Sequence, residues 1–180
     1  MENQMDVPAL ETPRLRLRKA KESDLTPIWQ NVWKDARIAK TMLWQPTESL
    51  EEAKDRLART IRFQAENYAY FVCLKDTDEP IGFAGVKEVE PGVYEDCGIC
   101  VATDLQNQGL GKEILAALLS FVFDKLGGTR FIYGCFHENE RSAAVCQALG
   151  FQYAYSMRET RNWDGYEYLC DFYTLDRAEG

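Results

Sequence analysis

Gln106-Asn107-Gln108-Gly109-Leu110-Gly111-Lys112 stands where an alternating strand pattern gives way to an amphipathic helix. The first turn of a helix carries backbone N–H groups with no internal acceptor, and the helix dipole adds about half a positive charge there. Gly109 and Gly111 let an anion approach that backbone without meeting a Cβ, and Lys112 adds a full charge. Glycines between a strand and a helix also serve as plain turns, so the ligand has to be argued. A P-loop requires a glycine separated by four residues from Gly-Lys and a hydroxyl after the lysine. The chain has Gln106 and Glu113 at those positions. A dinucleotide fingerprint requires a third glycine, where Ile114 stands. Both nucleotide readings fail on these residues.

The chain around the loop is 180 residues long, 46% hydrophobic and 28% charged, which is enough for one domain with a single core. We read that domain as residues 10–176, with 1–9 and 177–180 as flexible ends. No apolar run reaches membrane-spanning length, and the N-terminus lacks the basic and apolar regions of a signal peptide. A net charge of −8 argues against a nucleic-acid partner and mildly favours cationic ones. The six cysteines sit mostly in apolar runs, as thiols do in a reducing cytoplasm. Cys97-x-x-Cys100 is not read as a redox or metal pair, because strand residues three apart face opposite ways. With one histidine in the chain and no second cysteine pair, no metal is expected.

Periodicity predicts a first strand at Arg14–Arg18 and a helix through Leu25, Ile28, Trp29, Val32 and Trp33, capped by Ser23 or Asp24. A second helix runs from Leu50 to Ala65, opened by Thr47 or Ser49. Strands follow at Tyr68–Leu74, Pro80–Val89 and Val93–Ala102, then the glycine loop and a helix from Gly109 to Leu126. A strand at Arg130–Phe136, a helix at Asn139–Leu149 and a hairpin of Phe151–Arg161 with Tyr166–Leu175 complete the chain. The order is β-α-α-β-β-β-α-β-α-β-β. It predicts a mixed α/β domain: a mostly antiparallel, twisted sheet of about seven strands with helices on both faces.

The surviving spacing, Gln106-x-x-Gly109-x-Gly111, resembles the Arg/Gln-x-x-Gly-x-Gly/Ala pyrophosphate loop of the GCN5-related N-acetyltransferases. Leu10-Glu11-Thr12-Pro13-Arg14-Leu15-Arg16-Leu17-Arg18, followed by Ser23-Asp24-Leu25, resembles the N-terminal signature of the subgroup that includes the ribosomal-protein alanine acetyltransferases. Asp96-Cys97-Gly98-Ile99 is similar to that subgroup's Glu-Ile-Gly-Tyr strand. Asn139-x-x-Ser142, with Gly150-Phe151 behind it, matches the second cofactor segment. The likeness covers residues 10–175.

The resemblance implies acetyl-coenzyme A as donor and direct attack of an amine on its thioester. It implies that the pantetheine arm lies along the strand ending at Ile99 and Val101. It further implies that the backbone from Gln106 through Asn107, Gln108, Gly109, Leu110, Gly111 and Lys112 takes the pyrophosphate, and that Asn139 hydrogen-bonds the arm. Asn139 is equally a good helix cap and Val101 an ordinary core residue. A backbone N–H near Val101 is expected to serve the oxyanion. Many relatives protonate the leaving thiolate with a tyrosine on the helix after Asn139, but this chain has Cys146 there. Ser142 is the candidate acid in its place, and a serine at that position also serves as a helix-start residue.

Asp96, Glu95 and Glu159 are candidate bases on strands expected to border the cleft, although alternation lets only one of Glu95 and Asp96 face it. His137, two residues before Asn139, has a suitable intrinsic pKa but no visible partner. At pH 7 a lysine-like amine is neutral in only about one molecule in 2,500, against roughly one in six to one in eleven for an α-amine. A weak base is therefore more tolerable for a protein N-terminus than for a side-chain amine. The leading reading is a cytoplasmic acetyltransferase for a primary amine, acting as monomer or homodimer. The alternatives are a small amine acceptor (aminoglycoside, polyamine or amino-acid derivative) or a non-catalytic acyl-coenzyme A module.

Overall fold

The computed structural model describes residues 8–179. The expectation of a flexible N-terminal end falls mostly on residues 1–7, outside the described residues. The other end is held at its start, because the Arg177 N–H donates to the Thr129 carbonyl at 2.9 Å.

Eight strands form one sheet: β1 (Leu10–Glu11), β2 (Leu15–Arg18), β3 (Tyr68–Leu74), β4 (Pro80–Glu90), β5 (Val93–Val101), β6 (Arg130–Phe136), β7 (Gln152–Thr160) and β8 (Glu167–Asp176). Their order in space is β1-β2-β3-β4-β5-β6-β8-β7, antiparallel throughout except for β5 beside β6. The mixed, two-faced architecture matches the expectation. Its strand count is corrected from seven to eight by the two-residue β1, which folds back onto β2 and is too short to show a period.

Alternation along β3 divides the core. Tyr70 and Val72 face α4 (Leu110–Ser120), where Leu110, Ile114, Leu115 and Leu118 meet them. Phe71 and Cys73 face the opposite layer, packing with Ile28, Val32, Trp33, Ala53 and Leu57. The expected first helix is broken into a 3₁₀ turn at Glu22–Asp24, α1 (Leu25–Ile28) and a wider π-helical stretch at Trp29–Trp33. A further short helix, α2 (Ala36–Ala39), was not expected. Asp24 does not cap forward either. Its carboxylate accepts the Lys21 N–H at 2.8 Å and pairs with buried Arg18 at 2.8 and 2.9 Å. Ser49 does cap α3 (Leu50–Glu66), accepting the Glu52 N–H at 3.1 Å.

The helix after the glycine loop keeps α-geometry only to Ser120 and widens into a π-helical stretch at Phe121–Lys125 before Gly127 turns the chain with φ +69°. No helix among the described residues is long and apolar enough to cross a membrane.

Candidate active site

β5 and β6 pair only where Val93–Glu95 meet Arg130–Ile132, and beyond that they part. Two features hold the fork open. Between Asp96 and Ile99 β5 takes three steps while β4 takes two from Val86 to Ala84, so β5 bulges, with Gly98 at φ +98°. The Asp96 carboxylate then sits in the crotch. One oxygen accepts the Gly134 N–H of β6 at 2.9 Å, and the other accepts the Gly98 N–H at 3.0 Å. Burial pushes this carboxyl up to about 6, against the opposing pull of those two N–H groups.

A cavity of about 570 Å³ follows the open edge of β5. Its floor is Ile99–Val101, and one wall is the start of α5 (Glu140–Ala148) with Asn139 before it. The other wall is the glycine loop. Gly109 takes φ +81° and Asn107 φ +64°, a turn that presents the first turn of α4 to the cavity. The backbone N–H groups from Asn107 to Lys112 find no acceptor among the described residues. Around Gly111 a Cβ would meet nothing within 4 Å, so the space above these donors is open. This donor set and shape fit a pyrophosphate.

Gln106, Asn107, Gly109, Leu110, Gly111 and Lys112 all border the cavity. Gln108 does not; its carbonyl turns away and accepts Arg14 Nη1 at 2.9 Å. Gln106 acts as a strap: its amide nitrogen donates to the Val101 carbonyl at 3.0 Å and its oxygen accepts Arg141 Nη1 at 2.7 Å. Asn139 caps α5 by accepting the Ser142 N–H at 3.2 Å, while also lining the cavity.

Glu113, where a P-loop would carry its hydroxyl, has a structural task. Its carboxylate takes the Thr12 hydroxyl at 2.6 Å, and the Arg14 N–H and guanidinium at 2.8 Å each. Burial raises this carboxyl, but the Thr12 and Arg14 hydrogen bonds outweigh it and hold it below the usual range. The Thr12-Pro13-Arg14 signature is thus the staple that fixes the loop to the sheet.

A second chamber of about 440 Å³ shares Thr41, Met42, Ile99, Tyr133, Asn139 and Ser142 with the first. Glu95, Asp96 and Glu159 all border it, so Glu95 and Asp96 both reach the chamber where alternation was expected to admit only one. Glu159 accepts the Tyr168 hydroxyl at 2.9 Å. The roof joins two segments that carry no motif. Arg161, at the end of β7, donates to the carbonyls of Ala39, Lys40 and Met42 at 3.1–3.2 Å and pairs with Asp164 at 2.7 Å. The guanidinium thus pins the segment that supplies Thr41 and Met42.

Tyr133, on β6, was missed in the sequence. It is buried, borders both cavities, and burial raises its hydroxyl far above the usual phenol range, opposed by the neighbouring Ser142 side chain. Its only sequence signal was a polar-tipped aromatic at an inward strand position. Cys146, where relatives carry a tyrosine, is fully buried and donates to the Ala143 carbonyl at 3.2 Å. His137 borders neither cavity and pairs with Asp171 at 2.7 Å.

The Acetyltransferase (GNAT) domain family matches residues 14–152. The chain is 24% identical over 171 residues to the N-acetyltransferase YoaA of Bacillus subtilis (strain 168), itself uncharacterized, covering 93% of this chain and 96% of that one. Among solved structures, the acetyltransferase (GNAT family) from Bacillus anthracis superposes with a TM-score of 0.81 at 17% identity, over 94% of this chain and 98% of its own. RimL, a ribosomal L7/L12 alpha-N-protein acetyltransferase solved in complex with coenzyme A, superposes at 0.78 with 23% identity over 94% and 98%. The structural likenesses establish the fold. With most of the sequence matched as well, and the forked cleft in place, the chain belongs to the GNAT N-acetyltransferase family.

Proposed function

We propose that this acetyltransferase uses acetyl-coenzyme A to acetylate a primary amine, with the N-terminal α-amine of a protein as the favoured acceptor. One observation carries the reading: two adjoining cavities run from unpaired helix N–H groups, along a strand edge without a partner strand, to a chamber lined by carboxylates. The likeness to RimL, a ribosomal L7/L12 alpha-N-protein acetyltransferase solved with coenzyme A, supports it.

The donor, when bound, supplies a thioester. The Asn107–Lys112 backbone and Lys112 hold its pyrophosphate, with Arg37 and Arg141 as further cations on the cavity wall. The free edge of Ile99–Val101 aligns the arm, and Asn139 and Ser142 stand at the fork. Both Asp96 oxygens already accept backbone N–H groups, so Asp96 props the fork, and Glu159 and Glu95 are left to take the amine's proton. Ser142 and Tyr133 carry hydroxyls on the lining that both cavities share, and one of these supplies the proton to the leaving thiolate. The six free cysteines, five of them buried, suit a cytoplasmic setting.

A panel of peptides and small amines, assayed with acetyl-coenzyme A for thiol release, tests the proposal. Turnover on α-amine peptides is the expected outcome. Tight coenzyme A binding with no turnover on any amine overturns it in favour of a non-catalytic module. A second reading, a small amine acceptor, is favoured by the roof that Arg161 clasps over the chamber. Turnover confined to small amines selects that reading.

A further inference from the structure

Beyond the acceptor chamber, a smaller cavity of about 190 Å³ shares Trp44, Phe83 and Cys97 with it. Trp33, Arg56 and Gln64 complete the walls that matter. The Arg56 guanidinium lies 4.6 Å from the ring centres of both Trp33 and Trp44. Its faces are therefore satisfied by π-systems, while its in-plane donors are used once, on the Thr47 hydroxyl at 3.0 Å.

No carboxylate among the described residues forms an ion pair with Arg56, and burial lowers it to about 10. Glu48, Glu52 and Asp55 border an outer cleft that Arg56 also reaches, but none of them borders the smaller cavity. A half-buried cation without an anion is unfavourable, and a planar guanidinium is shaped to take a carboxylate in two parallel bonds. The rest of the wall points the same way. Gln64 is 3% exposed and its oxygen is taken by the Ala20 N–H at 2.6 Å, which leaves its amide nitrogen as a donor without an acceptor among the described residues. Trp44 Nε1 is buried and has no hydrogen-bond partner among the described residues.

These donors line one cavity, and Glu95, Asp96 and Glu159 line the chamber that adjoins it at Trp44, Phe83 and Cys97. The polarity matches a molecule that carries an amine and a carboxylate. We propose that the cavity between Trp33, Trp44, Arg56 and Gln64 is a carboxylate subsite, so that the acceptor is an amine bearing a carboxylate a few bonds away. Either a free amino-carboxylate or a peptide with an acidic residue near its N-terminus offers that chemistry. The inference rests on the chamber being the amine site.

Matched acceptors test it: 4-aminobutanoate against 4-aminobutanamide, and the tripeptide amides Ala-Glu-Ala against Ala-Gln-Ala. We expect kcat/KM to favour the carboxylate member of at least one pair by about tenfold or more. That ratio should fall toward one in Arg56→Met, whose coenzyme A binding reports an intact fold. If Arg56→Met does not fold, Arg56→Lys keeps the charge without the planar fork, and an intermediate ratio is expected. The pair that shows the preference identifies the source of the carboxylate.

A ratio near one for both pairs, or one unchanged in Arg56→Met, overturns the proposal. So does a ratio that collapses instead in Lys87→Met, which removes the cation that borders the chamber itself. If no amine is acetylated at all, the amine reading has failed, and glutarate titration without donor decides the subsite alone. Quenching of indole fluorescence in the wild type and its loss in Arg56→Met support the subsite; no quenching in the wild type rejects it.

Discussion

The cavity proposed for the donor and the chamber proposed for the acceptor lie on either side of one fork, yet they are built differently. The donor side is made largely of backbone: free N–H groups at Asn107–Lys112 and the bare edge of Ile99–Val101. Only special residues permit such backbone, so it leaves a trace in the sequence as glycines at fixed spacing. The acceptor side is made of side chains from α2's following segment, β5, β6 and the β7–β8 hairpin. No single stretch of sequence contains it. A site made of backbone is written locally, and a site made of side chains is written only in the fold.

Variants can break that contrast. The largest effect is expected for Gly111→Glu. The new side chain enters open space, so folding is preserved, but it puts bulk and negative charge above the cradle. Loss of about two charge-assisted hydrogen bonds at about 2 kcal/mol each amounts to about 4 kcal/mol, or about 1,000-fold in coenzyme A affinity by calorimetry. An unchanged affinity would remove the loop from the donor site.

Next, Tyr133→Phe combined with Ser142→Ala should lower kcat about 100-fold with little change in donor affinity. If kcat holds, solvent protonates the thiol and the two hydroxyls are structural.

At the border between the two sites, Asp96 gives a pH signature. Its folded carboxyl keeps a proton up to about 6, above the ordinary 3.8 of an unfolded aspartate. The folded state therefore binds more protons in that window, and the stability tied to Asp96 is full below about 4 and lost as pH rises to about 6. Denaturant titrations of wild type and Asp96→Asn should differ by about 2 kcal/mol more at one end of the window than at the other. Parallel curves would refute the raised value.

The smallest effect sharpens the acceptor side. Arg161→Met releases the Ala39–Met42 carbonyls and should raise acceptor KM about tenfold, leaving coenzyme A affinity unchanged. Equal changes in both would mean that the two sites are not separable.

Most of the architecture was legible because its signals are local. Alternation in Tyr68–Leu74, the Ser49 cap and the glycines around α4 each act over a few residues. The misses have physical causes. β1 has two residues, too few to show a period. The first helix looked continuous because its apolar residues keep helical spacing, yet Arg18 draws Asp24 away from capping. Tyr133 read as core because burial and a wall position look alike in a sequence. Arg56, Gln64 and Arg161 were invisible as site residues, since their partners lie across the fold.

By itself the sequence determined the shape of the glycine loop and the helix start behind it. A positive φ at Gly109 and bare N–H groups at the start of α4 depend on residues within one turn of each other. Only the tertiary structure decided where β5 and β6 part, which carboxylate props the fork, and which side chains close the acceptor chamber. Those arrangements depend on contacts between residues as far apart as Met42 and Arg161, and chain spacing carries no record of such distances.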